Sequence, residues 1–339
     1  MNKLVTGLCT AAVLIGCTNG ENSQITDVNT LSSPDGKLEM SFHLTGDGTP
    51  EYTLDYDGRP VILSSGMGFE LRGVLKAQKI DYNADGTVSK SDWKPCESLH
   101  DGFAVESVER SSHDETWTPV WGEEDSIRNN YNELAVNLVQ ASTERRLVIR
   151  FRLFNDGLGF RYEFPSQKNL NYFVIKEELT QFAMTADHTA WWIPGDYDTQ
   201  EYNYTQCRLS EISKHFKEAL TGNDSQTPFS INGVQTSLQL RTDEGLYINI
   251  HEAALVNYPC MHLDLDPATL TFTSHLTPDA QGWKGRMQTP CKTPWRTIQV
   301  APSATAQLAS RMILNLNEPC ALEDVSWIHP VKYVGVWWE

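Results

Sequence analysis

The residues best suited to chemistry lie close together between Trp191 and Tyr204. This stretch combines two adjacent tryptophans and three tyrosines with three carboxylates, Asp196, Asp198 and Glu201. Flat aromatic rings beside carboxylate oxygens suit a sugar ring or a hard cation such as calcium. The alternative interpretation is an aromatic-rich loop that packs on a β-sandwich and leaves its acids in water.

Spacing alone completes no known metal or nucleophile motif. Asp196-x-Asp198 begins like a calcium loop, but the glycine and the final glutamate of an EF-hand are missing at the required spacing. His251-Glu252 begins like the zinc-protease motif, yet position 255 is leucine and not a second histidine. The chain also contains no Gly-x-Ser-x-Gly elbow, phosphate loop or dinucleotide fingerprint.

A second aromatic stretch, Thr116–Tyr131, places Trp117 and Trp121 on either side of Pro119 and ahead of three acidic residues. The favoured interpretation is a covering loop whose indoles close the end of a sandwich.

The elements that must position these residues are predicted to be short strands. Apolar and polar residues alternate over residues 38–44, which places one face of a strand on a core and the other in solvent. Asp57-Gly58 and residues 155–157 (Asn-Asp-Gly) separate apolar stretches and predict hairpins, because such turns need positive φ. Further strands are predicted near residues 103–108, 238–240, 245–250, 270–276, 297–300 and 312–317.

Helical periodicity is confined to Ser210–Leu220, where Ser210 is predicted to cap the N-terminus and Gly222 to end the helix. The predicted fold is therefore mainly β, with two large antiparallel sheets face to face and one or two short helices.

Length and charge restrict the possible partners. The chain has 339 residues, 40% of them hydrophobic, and a formal net charge of −17. Phosphate binding draws on clustered Lys and Arg, and no such cluster is present. The composition indicates a globular protein and argues against nucleic acid as the main partner.

The N-terminus resembles a bacterial lipoprotein signal. Lys3 precedes a short apolar run, and residues 14–17 read Leu-Ile-Gly-Cys. Residues 1–17 are predicted to be a signal peptide cleaved before Cys17, with the thiol acylated and residues 18–30 acting as a flexible tether. The alternative is an ordinary cleavable signal. Either interpretation predicts an exported protein in the periplasm or at the outer membrane.

The remaining cysteines, Cys96, Cys207, Cys260, Cys291 and Cys320, are widely and irregularly spaced. They form no Cys-x-x-Cys pair, so a zinc site is not expected. We predict no disulfide framework.

The last nine residues, 331–339, include an unbroken apolar run from Tyr333 to Trp338. Such a run is typical of a strand buried on both faces, as in a barrel. It predicts that the sequence stops at the start of another domain.

Seven segments together resemble glycoside hydrolase family 97, and within it the α-glucosidase branch of Bacteroides starch utilisation. They are residues 117–124 (WTPVWGEE), 151–164 (FRLFNDGLGFRYEF), 191–202 (WWIPGDYDTQEY), 250–255 (IHEAAL), 293–298 (TPWRTI), 316–320 (LNEPC) and 332–338 (KYVGVWW). The likeness extends from about Leu31 to Glu339.

The resemblance implies a galactose-mutarotase-like β-super-sandwich over residues 31–330, with residues 331–339 as the first strand of a (β/α)8 catalytic barrel. It implies calcium-dependent, inverting hydrolysis of α-glucosides, with every acid and base in the barrel and none in this chain, so that the fragment alone is predicted to be inactive. Glu201 matches the glutamate that this family's N-terminal domain gives to the active-site calcium. Trp338 is a candidate for lining the sugar subsite or for barrel packing.

Three alternatives stay open. The chain could be a freestanding carbohydrate-binding or scaffold sandwich. It could belong to the retaining α-galactosidase branch of the same family. A mutarotase-like enzyme would use His251 and Glu252, but neighbours in a strand point to opposite faces.

Overall fold

The computed structural model describes residues 26–72, 84–85, 97–222 and 225–336. Their strands, in chain order, are β1 (Thr26–Ser32), β2 (Leu38–Leu44), β3 (Pro50–Tyr56), β4 (Arg59–Gly66), β5 (Phe69–Leu71), β6 (Glu97–Leu99), β7 (Phe103–Trp117), β8 (Ile127–Gln140), β9 (Arg145–Phe154), β10 (Gly157–Phe164), β11 (Tyr172–Glu178), β12 (Gln181–Met184), β13 (Thr189–Trp192), β14 (Thr205–Arg208), β15 (Gly233–Gln235), β16 (Leu238–Arg241), β17 (Tyr247–Ala253), β18 (Met261–Asp266), β19 (Thr271–Leu276), β20 (Gly285–Gln288), β21 (Cys291–Lys292) and β22 (Trp295–Ala301). The helices are α1 (Ile212–Ala219), α2 (Ala304–Leu308) and α3 (Met312–Asn315).

These strands form three antiparallel sheets. The 8-stranded sheet has the order β1-β2-β3-β4-β12-β19-β18-β15. The 10-stranded sheet has the order β14-β13-β16-β17-β22-β10-β9-β8-β7, with β21 also paired to β10. The third sheet has four strands in the order β20-β11-β5-β6.

The two large sheets pack face to face, as predicted. Alternate residues of their strands are buried, and aromatic side chains meet between the sheets. Phe42 of β2 lies with its ring centroid 5.9 Å from that of Phe151 in β9. Tyr52 of β3 lies 5.0 Å from Phe160 of β10. The predicted mainly-β antiparallel sandwich with short helices is confirmed.

Both predicted hairpins are present. Asp57 and Gly58 join β3 to β4 with φ values of 48° and 71°, so the turn requires residues that tolerate positive φ. At the turn between β9 and β10, Gly157 is required for close approach, because a Cβ there would lie 2.5 Å from the carbonyl oxygen of Ile298.

The predicted strand at residues 312–317 is wrong, because residues Met312–Asn315 form helix α3. Met312 and Leu316, one helical turn apart, both pack with Trp295 in a second small core on the other face of the 10-stranded sheet. A short apolar run fits either period, and here packing on the sheet selects the helix.

The predicted capping of α1 by Ser210 is also wrong. Helix α1 begins at Ile212, and Ser210 belongs to a preceding 3-10 turn. Its hydroxyl donates to Asp187 Oδ2 at 2.7 Å. The residue that ties down the turn is Glu211, whose carboxylate accepts from the Arg208 N–H at 3.3 Å.

The predicted loop at Thr116–Tyr131 is shorter than expected, since β7 continues to Trp117 and β8 begins at Ile127. Trp117 is anchored, donating its Nε1–H to Asn315 Oδ1 at 2.9 Å. Trp121, by contrast, is 65% exposed.

Residues 331–336 form no strand in this structure, and Tyr333, Val334 and Val336 are largely exposed. A barrel strand needs neighbouring strands, so its assignment stays a prediction. Residues 1–25, which include Cys17, and residues 337–339, which include Trp338, lie outside the described residues. No helix in the described ranges is long and apolar enough to cross a membrane.

Candidate calcium-binding loop

The loop that carries Glu201 connects β13 to β14 at one edge of the 10-stranded sheet. Alternation along β13 divides its two tryptophans between the faces. Trp192 is fully buried in the core and donates its Nε1–H to Cys207 Sγ at 3.2 Å. Trp191 points to the opposite face. The start and end of the loop are therefore fixed by the core.

Asp196 is buried and organises this loop from inside. Its carboxylate accepts from the N–H groups of Asp198 at 2.8 Å, Thr199 at 3.0 Å and Thr227 at 2.7 Å. The Tyr202 hydroxyl donates to the same carboxylate at 2.7 Å. These four donors occupy the carboxylate oxygens, so Asp196 is a structural residue and not an available cation ligand.

Two hydrogen bonds to histidines of β18 and β19 hold the loop on the 8-stranded sheet. His262 Nε2 donates to the carbonyl of Asp196 at 2.8 Å. The Tyr197 hydroxyl lies 2.5 Å from His275 Nε2. Burial and the nearby Lys284 ammonium lower the pKa of His275 to about 4, so His275 is neutral at neutral pH and can accept a hydrogen bond from the Tyr197 hydroxyl.

Glu201 presents its side chain to solvent while its backbone is fixed. Its N–H donates to Thr199 Oγ1 at 3.1 Å, and its carbonyl accepts from Thr221 Oγ1 at 3.0 Å. The next residue, Tyr202, is buried against Asp196. The predicted candidate is thus an exposed carboxylate on an ordered backbone, which is a suitable arrangement for one oxygen ligand of a cation.

Glu201 does not belong to a complete metal site within this chain's described ranges. No group of three or more His, Cys, Asp or Glu residues there could hold a metal ion. Calcium takes six to eight oxygen ligands. Glu201 fits calcium as a single ligand, and further ligands would have to come from elsewhere.

Sequence reasoning missed a buried ionic cluster between the sheets. Arg296, which is fully buried, contacts Glu178 through two hydrogen bonds of 2.8 and 2.7 Å and Glu252 through one of 2.7 Å. The Tyr258 hydroxyl and the Thr180 hydroxyl donate to Glu178 at 2.8 and 2.9 Å. The cluster joins β11, β17 and β22, which belong to two different sheets.

The cluster also clarifies the His251-Glu252 pair. Glu252 points inward to Arg296, whereas His251 faces the other side of β17. Burial raises the pKa of Glu252 although Arg296 opposes the shift. Since the two side chains lie on opposite faces, they do not form one catalytic site.

The described cysteines, Cys207, Cys260, Cys291 and Cys320, are all free thiols. Burial raises the pKa of Cys207, Cys260 and Cys291. Raised pKa values indicate packing residues and not reactive thiolates.

Replacing Asp196 with asparagine is expected to destabilise the loop, because an amide cannot accept from all four donors. Burial opposes ionisation of Asp196, but the bonds from Tyr202 and the backbone outweigh it and lower the pKa. The carboxylate therefore stabilises the fold above about pH 4 and loses this effect as the pH falls through its folded-state pKa. Hydrogen exchange should show lost protection at Thr199 and Thr227 in Asp196→Asn.

The matched control is Asp198→Asn, because Asp198 is an exposed acid in the same loop and the substituted amide keeps an oxygen that can accept from Thr227 Oγ1, as Asp198 Oδ2 does at 2.8 Å. This change is expected to leave the amide protection intact. Equal loss of protection in both variants would contradict the role of Asp196.

Comparison with known proteins agrees with the geometry of this domain. The family model described as Glycosyl-hydrolase 97 N-terminal matches residues 31–319. A curated retaining α-galactosidase from Bacteroides thetaiotaomicron is 24% identical, over 91% of this chain and 44% of that protein.

Solved structures give the same result. A glycoside hydrolase family 97 enzyme from Pseudoalteromonas sp. strain K8, in complex with acarbose, is 32% identical with a TM-score of 0.72, over 89% of this chain and 40% of its own. A structure of a Pseudoalteromonas enzyme of this family with panose gives the same values. A β-arabinopyranosidase shares the fold at 16% identity and a TM-score of 0.62, over 81% of this chain and 40% of its own.

The chain thus spans less than half the length of these relatives. The family match covers most of its residues and coincides with the β-sandwich described above. The chain therefore belongs to glycoside hydrolase family 97, in which it corresponds to the N-terminal domain.

Proposed function

We propose that this chain is the N-terminal domain of a calcium-dependent, α-glucosidase-like hydrolase that acts on α-glucosides such as starch oligosaccharides. Glu201 supplies one carboxylate to a calcium ion whose other ligands belong to a C-terminal catalytic barrel. The observation that carries this proposal is the exposed Glu201 carboxylate on a loop fixed by buried Asp196. Because these hydrogen bonds fix the loop, its backbone can present the Glu201 side chain at a domain interface.

The surface at the C-terminal end of the chain supports such an interface. Large apolar side chains are exposed there: Leu322, Trp327, Val331, Tyr333, Val334 and Val336. Exposed apolar residues in a run are typical of a surface that another domain covers. We propose that the barrel packs on this segment, with Trp338 near the sugar or in the same packing layer.

Support for α-glucosides comes from the Pseudoalteromonas enzymes with acarbose and panose, which are 32% identical to this chain. The Bacteroides retaining α-galactosidase, at 24% identity, favours the other branch. The branches differ in carboxyl separation, about 6.5–9.5 Å for inversion and about 5–5.5 Å for retention. The anomer first released from each substrate by the complete enzyme distinguishes the two.

The 339 residues alone are expected to release no glucose from maltose or p-nitrophenyl α-glucoside, with or without calcium. The reason is that the resemblance places the general acid and base in the barrel. The assay needs a complete family 97 α-glucosidase as its positive control. Calcium-dependent glucose release by the purified chain would refute the proposal.

We also propose that the mature protein is exported and held at the membrane by lipid on Cys17. Support comes from the basic start, the short apolar run and the cysteine that follows Gly16. Cys17→Ser is expected to move the protein from the membrane fraction to the soluble fraction. A mature N-terminus other than residue 17, read by mass spectrometry, would contradict this assignment.

A further inference from the structure

The outer face of the 10-stranded sheet carries a groove that the proposed function does not use. It lies over β13, β16, β17 and β22 and is bounded by α2 and the residues that lead to α3. Its volume is about 640 Å³, within the range of about 300–1,000 Å³ that is usual for small-molecule sites.

The strand register places a row of polar side chains across the floor of this groove. Trp191 pairs with Gln239, Gln239 with Asn249, and Asn249 with Gln299 in successive strands. Directly paired residues point to the same face of a sheet. Four neighbouring strands therefore present one indole and three amides side by side, opposite the buried core residues.

These side chains are held in place by contacts within the protein. Gln239 Nε2 donates to the carbonyl of Leu240 at 3.0 Å, and Asn249 Nδ2 donates to Gln239 Oε1 at 3.3 Å. Gln299 Nε2 donates to Ser310 Oγ at 3.1 Å. The amides are thus oriented before any ligand binds, which lowers the entropic cost of binding.

Two residues that line the groove contain buried nitrogens without a partner among the described residues. These are His251 Nδ1 and Gln307 Nε2. The Thr297 hydroxyl, fully buried and directly across from His251, also has no partner in the described part of the chain. Buried polar groups of this kind normally have a hydrogen-bond partner, and hydroxyls of a ligand in the groove could supply it.

The charge of the groove restricts that ligand. None of the described residues that line it is acidic, and the one permanently charged residue, Arg241, lies with its guanidinium 5.8 Å from the centre of the Tyr247 ring. Burial lowers the pKa of His251, so its ring is neutral at neutral pH. The groove is therefore unsuited to a cation. Its indole and its row of amides suit a molecule with many hydroxyls and one flat apolar face.

We propose that this groove binds a neutral pyranoside, with a sugar ring stacked on Trp191 and its hydroxyls bonded to Asn249, Gln299, Gln307 and His251. A pyranose has an apolar face of C–H groups for the indole and a rim of hydroxyls for the amides. The site stands on the groove itself and does not depend on the role of Glu201.

The test is calorimetric titration of the 339-residue chain with maltotriose and, separately, with raffinose. Binding of at least one, with a Kd of about 1 mM, is expected. Trp191→Ala and Asn249→Ala should each weaken it about tenfold or more, which corresponds to about 1.4 kcal/mol. The control Trp121→Ala removes an equally large but exposed indole outside the groove and should leave the Kd unchanged.

Thermal unfolding of each variant shows whether it is folded. If Trp191→Ala does not fold, Asn249→Ala still tests the groove. Glu201→Gln should bind the sugar as the unmodified chain does, so failure of the calcium proposal leaves this result intact. The inference is overturned if the folded chain binds neither saccharide. It is also overturned if the Kd is insensitive to both groove variants, or if Glu201→Gln abolishes binding.

Discussion

Arg296→Met is expected to lower the free energy of unfolding by about 3–5 kcal/mol, because it leaves two carboxylates buried without their cation. Arg296 and Glu178 are fully buried and Glu252 nearly so. Methionine preserves much of the side-chain volume, so the loss reports on charge and not on a cavity. Denaturant unfolding at neutral pH measures the change.

The pH dependence of this variant separates the electrostatic cause from a packing defect. Arg296 is the largest influence that opposes the burial of Glu178 and Glu252, so its removal lets burial raise both carboxyl pKa values in the folded state, although hydrogen bonds from Tyr258, Thr180 and the Met261 N–H remain. A raised carboxyl pKa favours folding below the unfolded-state pKa, and this stabilisation is lost as the pH rises. The deficit of Arg296→Met should therefore be smaller at about pH 5 than at about pH 8.

Arg128→Met is the matched control, since Arg128 pairs with Asp114 by two hydrogen bonds at an exposed position. It should unfold at the same denaturant concentration as the unmodified protein. An equal loss in both variants, or a pH-independent loss in Arg296→Met, would show that the buried cluster does not stabilise the fold by charge pairing.

Glu201→Gln, in the enzyme that contains both this domain and its barrel, is expected to weaken calcium binding at least about tenfold. The amide keeps the size of the side chain but removes the negative charge that a hard cation requires. Glucose release should fall in parallel at limiting calcium and recover in part when calcium is raised. Thermal unfolding of the domain should not change, because the side chain is exposed.

The control for this variant is Glu218→Gln, on the exposed side of α1. It should match the unmodified enzyme in calcium affinity and rate. If Glu201→Gln and Glu218→Gln behave alike, Glu201 is not a calcium ligand.

Sequence predicted the hairpins and the sandwich well because their signals are local. The turn at Asp57-Gly58 requires only residues that accept positive φ. The alternation of apolar and polar residues along β9 requires only that one face of the strand is buried and the other is accessible to solvent. Strand β18 was missed although Met261, Leu263 and Leu265 alternate with polar residues, so a usable signal was present. The error at α3 differs, because four residues cannot distinguish a helical from a strand period.

The roles of the individual acids in the loop could not be predicted from the sequence. Asp196, Asp198 and Glu201 are equivalent acids by composition, and only the folded loop shows that Asp196 is enclosed and Glu201 exposed. The ionic cluster was not predictable, since Glu178 and Arg296 lie 118 residues apart and belong to strands of two different sheets. The resemblance pointed to Glu201, and the folded loop shows an exposed side chain on an ordered backbone at that position.

A crystal structure of the complete enzyme grown with calcium tests the central claim most directly. We predict a Glu201 carboxylate oxygen at about 2.3–2.6 Å from the ion, with the remaining ligands supplied by the barrel and water. The loop from Asp196 to Tyr202 should keep the hydrogen bonds described above. A fully coordinated calcium ion with Glu201 outside its ligand sphere would contradict the account.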